Sequence, residues 1–390
     1  MKLLSVKFTR LAALASVVVL AAGPGARANA GATFSGTSSA FHHTCGVRTN
    51  GTLAYCGDNG YGQANPPVGT FTEVSAGDNH TFGMGTDGTT SCRGDNYQGL
   101  ATSTTSAVTQ VGAGGFHTCD VKTDGTLACW GLNKCGQVTP PGSTFTEVSA
   151  GYYHACGVKT NGTLACWGLN LSGQATPPSG TFTQVSAGAM HTCALKTDAT
   201  IVCWGSNKYG QATPPAGTFT QVGAGALHTC GVKTNGTLAC WGSNNYGQAT
   251  PPAGTFTQVD GGMEHTCAVK TAGTIACWGR NSKGQATPPA GTFTQVSAGG
   301  FHTCAVKTGG TIACWGDNTR GQLTPPAQPV GGIAECPDPA TASAQEARAP
   351  AGGSGWSAGK AAALSGVIAA AVLAALGAWY ARRRWLRPRA

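Results

Sequence analysis

The sequence predicts an all-β chain, a β-propeller of eight 37-residue repeats, followed by one C-terminal transmembrane helix. Three observations predict it. A histidine signal recurs at His43, His80, His117, His154, His191, His228, His265 and His302, always 37 residues apart, and a fixed period of this length is the mark of a repeat architecture. Each unit holds short runs rich in Val, Thr, Ile and aromatics, bounded by Gly and Pro, which read as strands. Near the C-terminus, Ala361 to Ala381 is a run of 21 residues without a charge, about the length of a bilayer-spanning helix.

The elements follow in chain order. Residues 1–30 join a basic start, an apolar run from Leu11 to Ala22 and small residues ending Ala28-Asn29-Ala30, the plan of a secretory signal peptide. Residues 31–326 are the repeats. Residues 327–360, rich in Pro, Ala, Gly and Ser, read as a stalk. Residues 361–381 are the expected membrane helix, with Trp379 and Tyr380 at its interface. Residues 382–390 are a basic tail expected on the cytoplasmic side. The chain is therefore expected in the cell membrane as a single-pass protein with its repeats extracytoplasmic. It also resembles the sorting tails that are sometimes cleaved.

Composition narrows the function. Glycine is 60 of 390 residues and charged residues are 10 %, against roughly a quarter charged in ordinary soluble proteins. The net charge of +9 comes from nine basic residues in the signal and tail segments; between them 15 basic residues face 15 acidic ones. A neutral body lacks the clustered cations that phosphate binding requires, so nucleic acid is excluded as a partner.

Within one unit, Phe293 to Ala298, His302 to Thr308 and Thr311 to Trp315 read as strands, and a fourth near Gln322 to Thr324 would complete a blade. Six units carry cysteines ten residues apart: Cys119 and Cys129, Cys156 and Cys166, Cys193 and Cys203, Cys230 and Cys240, Cys267 and Cys277, Cys304 and Cys314. A two-residue turn between them would set the cysteines on opposite faces. A three-residue loop closed by a glycine bulge sets them directly opposite, at a non-hydrogen-bonded position about 4.5 Å apart. Glycine at the third loop position, as in Thr271-Ala272-Gly273, favours the second, so six hairpin disulfides are expected. Cys45, Cys56, Cys92, Cys135 and Cys336 remain, and Cys336 pairing with Cys45 or Cys56 would staple the ring shut. No metal site is expected, because His-Thr-Cys has no second ligand pair at zinc-finger spacing, and no cofactor motif occurs.

These units resemble the repeats of the regulator of chromosome condensation family, on Ala187-Gly188, His191-Thr192, Asp198, Trp204-Gly205, Asn207 and Gly210-Gln211, over residues 34 to 326. The resemblance implies a propeller, usually of seven blades. Eight units here imply eight, with seven and a degenerate first unit as the alternative. The family's guanine-nucleotide exchange activity is not expected, since uniform 37-residue units leave no room for inserted loops. The nearer analogy is with its secreted members that inhibit β-lactamases through an aromatic-rich rim.

Strand alternation sorts the loops onto two ends. The hairpin turn and the Pro-Pro link share one end and hardly vary among units. The Ala-Gly-x-x-His loop and the Gly-x-Asn-x-x-Gly-Gln loop share the other, and there the units differ: Phe116, Tyr153, Met190, Leu227 and Phe301 precede the histidine, while Tyr61, Tyr97, Leu171, Tyr209 and Tyr246 stand in the second loop. Such a ring either packs between blades or forms a binding patch. The histidines themselves are read as structural, and the Asn-Gly-Thr sites at Asn50, Asn161 and Asn235 as tight turns rather than glycosylation sites. Scattered acids give no acid–base constellation. The expected function is a non-enzymatic, monomeric binding module for a protein or carbohydrate at the cell surface; the alternatives are an inhibitor of an extracellular hydrolase and a propeller hydrolase or lyase.

Overall fold

The computed structural model describes residues 33–96, 99–103 and 106–323. The expected signal peptide, stalk, membrane helix and tail lie outside the described residues, as do Tyr97 and Cys336. Among the described residues no helix is long and apolar enough to cross a membrane.

Eight antiparallel three-stranded sheets follow one another along the chain. The first blade consists of Phe34–Ser39, His43–Arg48 and Leu53–Gly57, and the eighth of Phe293–Ala298, His302–Lys307 and Ile312–Gly316. Neighbouring blades lie against each other, and the first strand of blade one also packs on blade eight, so the arrangement closes into a propeller-like ring. The first strand of every blade is innermost, because the channel on the axis is lined by its last residue and the loop that follows.

Each hairpin has the three-residue loop. In blade four the Lys159 amide donates to Thr163 O and the Gly162 amide to Lys159 O, both at 2.8 Å, and Gly162 takes φ +82°. That left-handed position closes the bulge and brings Cys156 directly opposite Cys166, with Cα atoms 4.0 Å apart. All six expected pairs are bonded. Ala199 replaces glycine in blade five and adopts the same region, at φ +67°. Asn161 Oδ1 accepts from both the amide and the hydroxyl of Thr163, so this side chain braces the turn.

Two expectations fail. Cys45 and Cys56 are free thiols, so neither is the partner of Cys336. They are not cross-strand neighbours, because Cys45 faces Tyr55 and Cys56 faces Thr44. Among the described residues no fourth strand forms either. The Gly-Gln segment meant to supply it turns its backbone towards the next blade instead. The carbonyls of Gln137, Gln174, Gln211, Gln248 and Gln285 accept the indole N–H of Trp167, Trp204, Trp241, Trp278 and Trp315, each one blade on, at 2.8–2.9 Å. These carbonyls are used between blades rather than in a ladder with the third strand.

The histidines form the second half of the same joint. His43, His80, His154, His191, His228 and His265 bond the threonine hydroxyl of the next blade at 2.8 Å, and His302 closes the ring on Thr44 at 2.6 Å. Thr81, Thr192, Thr266 and Thr303 in turn donate to the carbonyls of Gln63, Gln174, Gln248 and Gln285. A hydroxyl that donates to a carbonyl must accept from the imidazole, so Nε2 carries the proton and Nδ1 is bare. All eight rings are buried. Burial holds every one neutral, with pKa values pushed down to about 3 or about 4.

Candidate binding rim

The two variable loops do meet at one end of the ring. Leu169 N donates to Tyr153 O at 2.8 Å, and Ser206 N to Met190 O at 2.9 Å, so the start of the Asn loop rests on the residue before the histidine. At the other end the hairpin turn binds the Pro-Pro link, with Phe182 N donating to Gly162 O at 2.7 Å.

The residues before the histidines, Phe116, Tyr153, Met190, Leu227 and Phe301, are half-buried. Some touch across blades: Phe116 stacks on Tyr153 with centroids 5.1 Å apart, and Phe301 meets Phe41 edge-on at 5.4 Å. Met190 Sδ lies 3.8 Å from Gln174 Nε2. In the Asn loop, Tyr61 and Leu171 are exposed, at 59 % and 86 %, whereas Tyr209 and Tyr246 are half-buried. Leu171 is one residue out of step with the tyrosines; its counterpart to Tyr209 is Ser172. The backbone amides of Tyr61, Tyr209 and Tyr246 are pinned by the side chains of Gln63, Gln211 and Gln248.

Charge gathers on the last two blades and the first. Arg280 pairs with Glu264 and lies over the rings of Tyr246 and Phe301 at 5.2 and 5.7 Å. Lys283 pairs with Asp317 at 3.4 Å and Arg320 with Asp58 at 3.3 Å. Each of these three cations therefore has an acidic partner.

A second ring of residues lies inside the first and escaped the sequence reading. The residue two before each histidine is Phe41, Asp78, Gly115, Tyr152, Ala189, Ala226, Met263 and Gly300 in successive blades, and all eight line the mouth of the axial channel, a cavity of about 240 Å³. Backbone bonds join these loops where the side chain is small: Gly115 N to Gly151 O, Ala189 N to Ala226 O, Ala226 N to Gly262 O and Gly300 N to Ala40 O. Tyr152 and Asp78 flank Gly115, where a Cβ would lie 3.4 Å from the Tyr152 ring and 3.5 Å from Asp78 Oδ2, and the Tyr152 ring also meets Phe116 at 6.1 Å. Burial pushes the Asp78 carboxyl up to about 7. The missed signal was position-by-position variance: no position in the Ala-Gly-x-x-His loop ranges more widely in size and charge. Among the described residues no cluster has the makings of a metal site.

Comparison with known proteins fits this geometry. The Regulator of chromosome condensation (RCC1) repeat matches residues 108–137, 145–174, 182–211, 219–248, 256–285 and 293–322. No curated protein matches the chain. Among solved structures, the ectodomain of the receptor kinase CR4 from Physcomitrella patens is similar with TM-score 0.53 and 21 % identity, covering 64 % of this chain and 74 % of that one. The CRINKLY WD40 ectodomain of ACR4 from Arabidopsis thaliana gives 0.51 and 24 %, covering 73 % and 96 %. Prp20p from Saccharomyces cerevisiae gives 0.51 and 15 %, covering 69 % and 91 %. These likenesses establish a shared fold. With six matched repeats among eight like units, the chain belongs to the regulator of chromosome condensation repeat family.

Proposed function

We propose that the ring is an extracytoplasmic binding module that engages a partner protein through the rim carrying Phe116, Tyr153, Tyr209, Tyr246 and Phe301. One observation carries this reading: the unit-to-unit variation is gathered on one end of an otherwise uniform ring, among half-buried aromatics of the kind that dominate protein interfaces. The joints between blades and the hairpin end repeat nearly unchanged, as a scaffold requires. Six hairpin disulfides suit an oxidising compartment, and two similar structures are ectodomains of receptor kinases. In the same reading, residues 1–30 direct export and 361–381 anchor the chain. Binding rather than catalysis is favoured because Arg280, Lys283 and Arg320 are tied to Glu264, Asp317 and Asp58.

The test is a capture experiment with the oxidised full-length chain against surface and secreted proteins of its source, beside two variants. Tyr209→Ala with Tyr246→Ala removes rim contacts, and Thr181→Ala alters the hairpin end. A partner lost about tenfold or more in the rim variant and retained by the other supports the reading; equal binding by both variants sinks it.

A further inference from the structure

We propose that the axial mouth receives a single primary ammonium group, the side chain of a lysine presented by the partner protein, with its charge on Asp78. The proposal rests on the reading of the ring as a protein-binding module and names what the partner must offer.

Of the 24 residues lining the channel mouth, Asp78 alone carries a charge. The rest are Ala, Gly and Ser apart from Phe41, Tyr152 and Met263. The carboxylate therefore sits in a neutral wall beside Tyr152, and the nearby rim cations Arg280, Lys283 and Arg320 are committed to Glu264, Asp317 and Asp58. A buried carboxylate without a counterion is costly unless something supplies one; its upward-shifted pKa records that cost. Phe41, Asp78, Tyr152 and Met263 all remain partly exposed, so the mouth is open to a ligand.

Shape and chemistry select the cation. A compact ammonium is met by one carboxylate oxygen, and Asp78 is the one carboxylate among the lining residues. The Ala-Gly wall suits a thin alkyl stem, which buries its methylenes while the head stays charged. Phe41 and Tyr152, the latter meeting Phe116 at 6.1 Å, line the same mouth, and aromatic rings attract a cation through their quadrupoles. Gly115 keeps the space between Asp78 and Tyr152 clear, since a Cβ there would already lie 3.5 Å from Asp78 Oδ2 and 3.4 Å from the Tyr152 ring.

The test titrates the oxidised full-length chain at pH 8, where Asp78 is ionised, with N-acetyl-lysine methylamide, followed by NMR. N-acetyl-norleucine methylamide serves as the uncharged isostere and glucosamine as a sugar ammonium. The expected result is saturable binding of the lysine probe alone, weakened about tenfold in Asp78→Asn and less in Tyr152→Phe. Retained thermal stability of either variant guards against misfolding. Absence of saturation by the lysine probe, equal binding by norleucine, tighter binding of glucosamine, or an unaffected Asp78→Asn overturns the proposal. The titration needs no partner protein. Its failure beside successful rim-dependent capture therefore defeats only the ammonium site, whereas failure of capture defeats the binding-module reading itself.

Discussion

Three buried polar groups of blade three lack partners among the described residues: both carboxylate oxygens of Asp120, the His117 imidazole and the Trp130 indole. Each has a cause one residue wide. Asp120 stands where the other units have Gly or Ala, and Val108 replaces the phenylalanine whose ring fills that space in blade four. Ala155 replaces the threonine that would receive His117, and Leu100 replaces the glutamine that would face Trp130. Burial, with Glu73 nearby, holds the Asp120 carboxyl well above the usual carboxylate range. Exchanging Asp120 for Ala, the residue at 194, 268 and 305, removes an unsatisfied group and should stabilise the protein by about 1–3 kcal/mol. Ala155→Thr restores the missing joint and should add about 1 kcal/mol. Thermal unfolding of the two variants checks both; a fall in Tm for either contradicts the account of that site. The irregular letters were visible in the sequence, but what they face lies a full unit away, so their meaning was not.

At the scale of the strand and hairpin, most of the architecture was legible. The loop type followed from glycine at one position, and with it the cysteine register and the six bonds. The Gly-Gln segment misled, because its apolar and polar pattern is that of a short strand while its partner is the next blade. A hydrogen bond between units leaves no periodicity of its own. The disulfide loops are short, so each should contribute somewhat under the roughly 3 kcal/mol of a 15-residue loop. In a repeat array such losses stay local. Replacing Cys230 and Cys240 together by Ala should lower stability by about 2 kcal/mol by denaturant titration, leaving the other five hairpin bonds intact by mass. No change would mean that the hairpin is held by its ladder and turn alone.

The whole ring responds to pH through its joints. Eight histidines have folded pKa values of about 3 or about 4, below the ordinary 6.5. The stability they contribute is full above pH 6.5 and lost as pH falls towards 4, because the unfolded state then binds more protons. Five acids act in the opposite sense. Asp78, Glu73 and Glu147 are raised to about 7, and Asp120 and Asp260 are raised as well, so their contribution is full below about pH 4 and lost as pH rises through 7. Eight against five leaves a net loss on acidification, steepest once the acids have stopped titrating. Tm should peak near pH 6.5 and fall on both sides, most sharply below pH 4; a flat profile from 6.5 to 4 would contradict the neutral-histidine joint. The joint between blades eight and one is built differently from the rest. Gln322 O receives the Thr44 hydroxyl at 3.4 Å and the Cys56 thiol at 3.1 Å, where most joints have an indole. Most blades grip their successors in one direction and through the same kinds of atoms, so the circle can be opened at another blade. A circular permutant opened between blades five and six, with Gln322 joined to Thr33 by the Ala-Thr-Pro-Pro-Ala-Gly bridge that separates Gln285 from Thr292, would move the weak joint inside the chain and leave the circle to be closed by a Trp-bearing one.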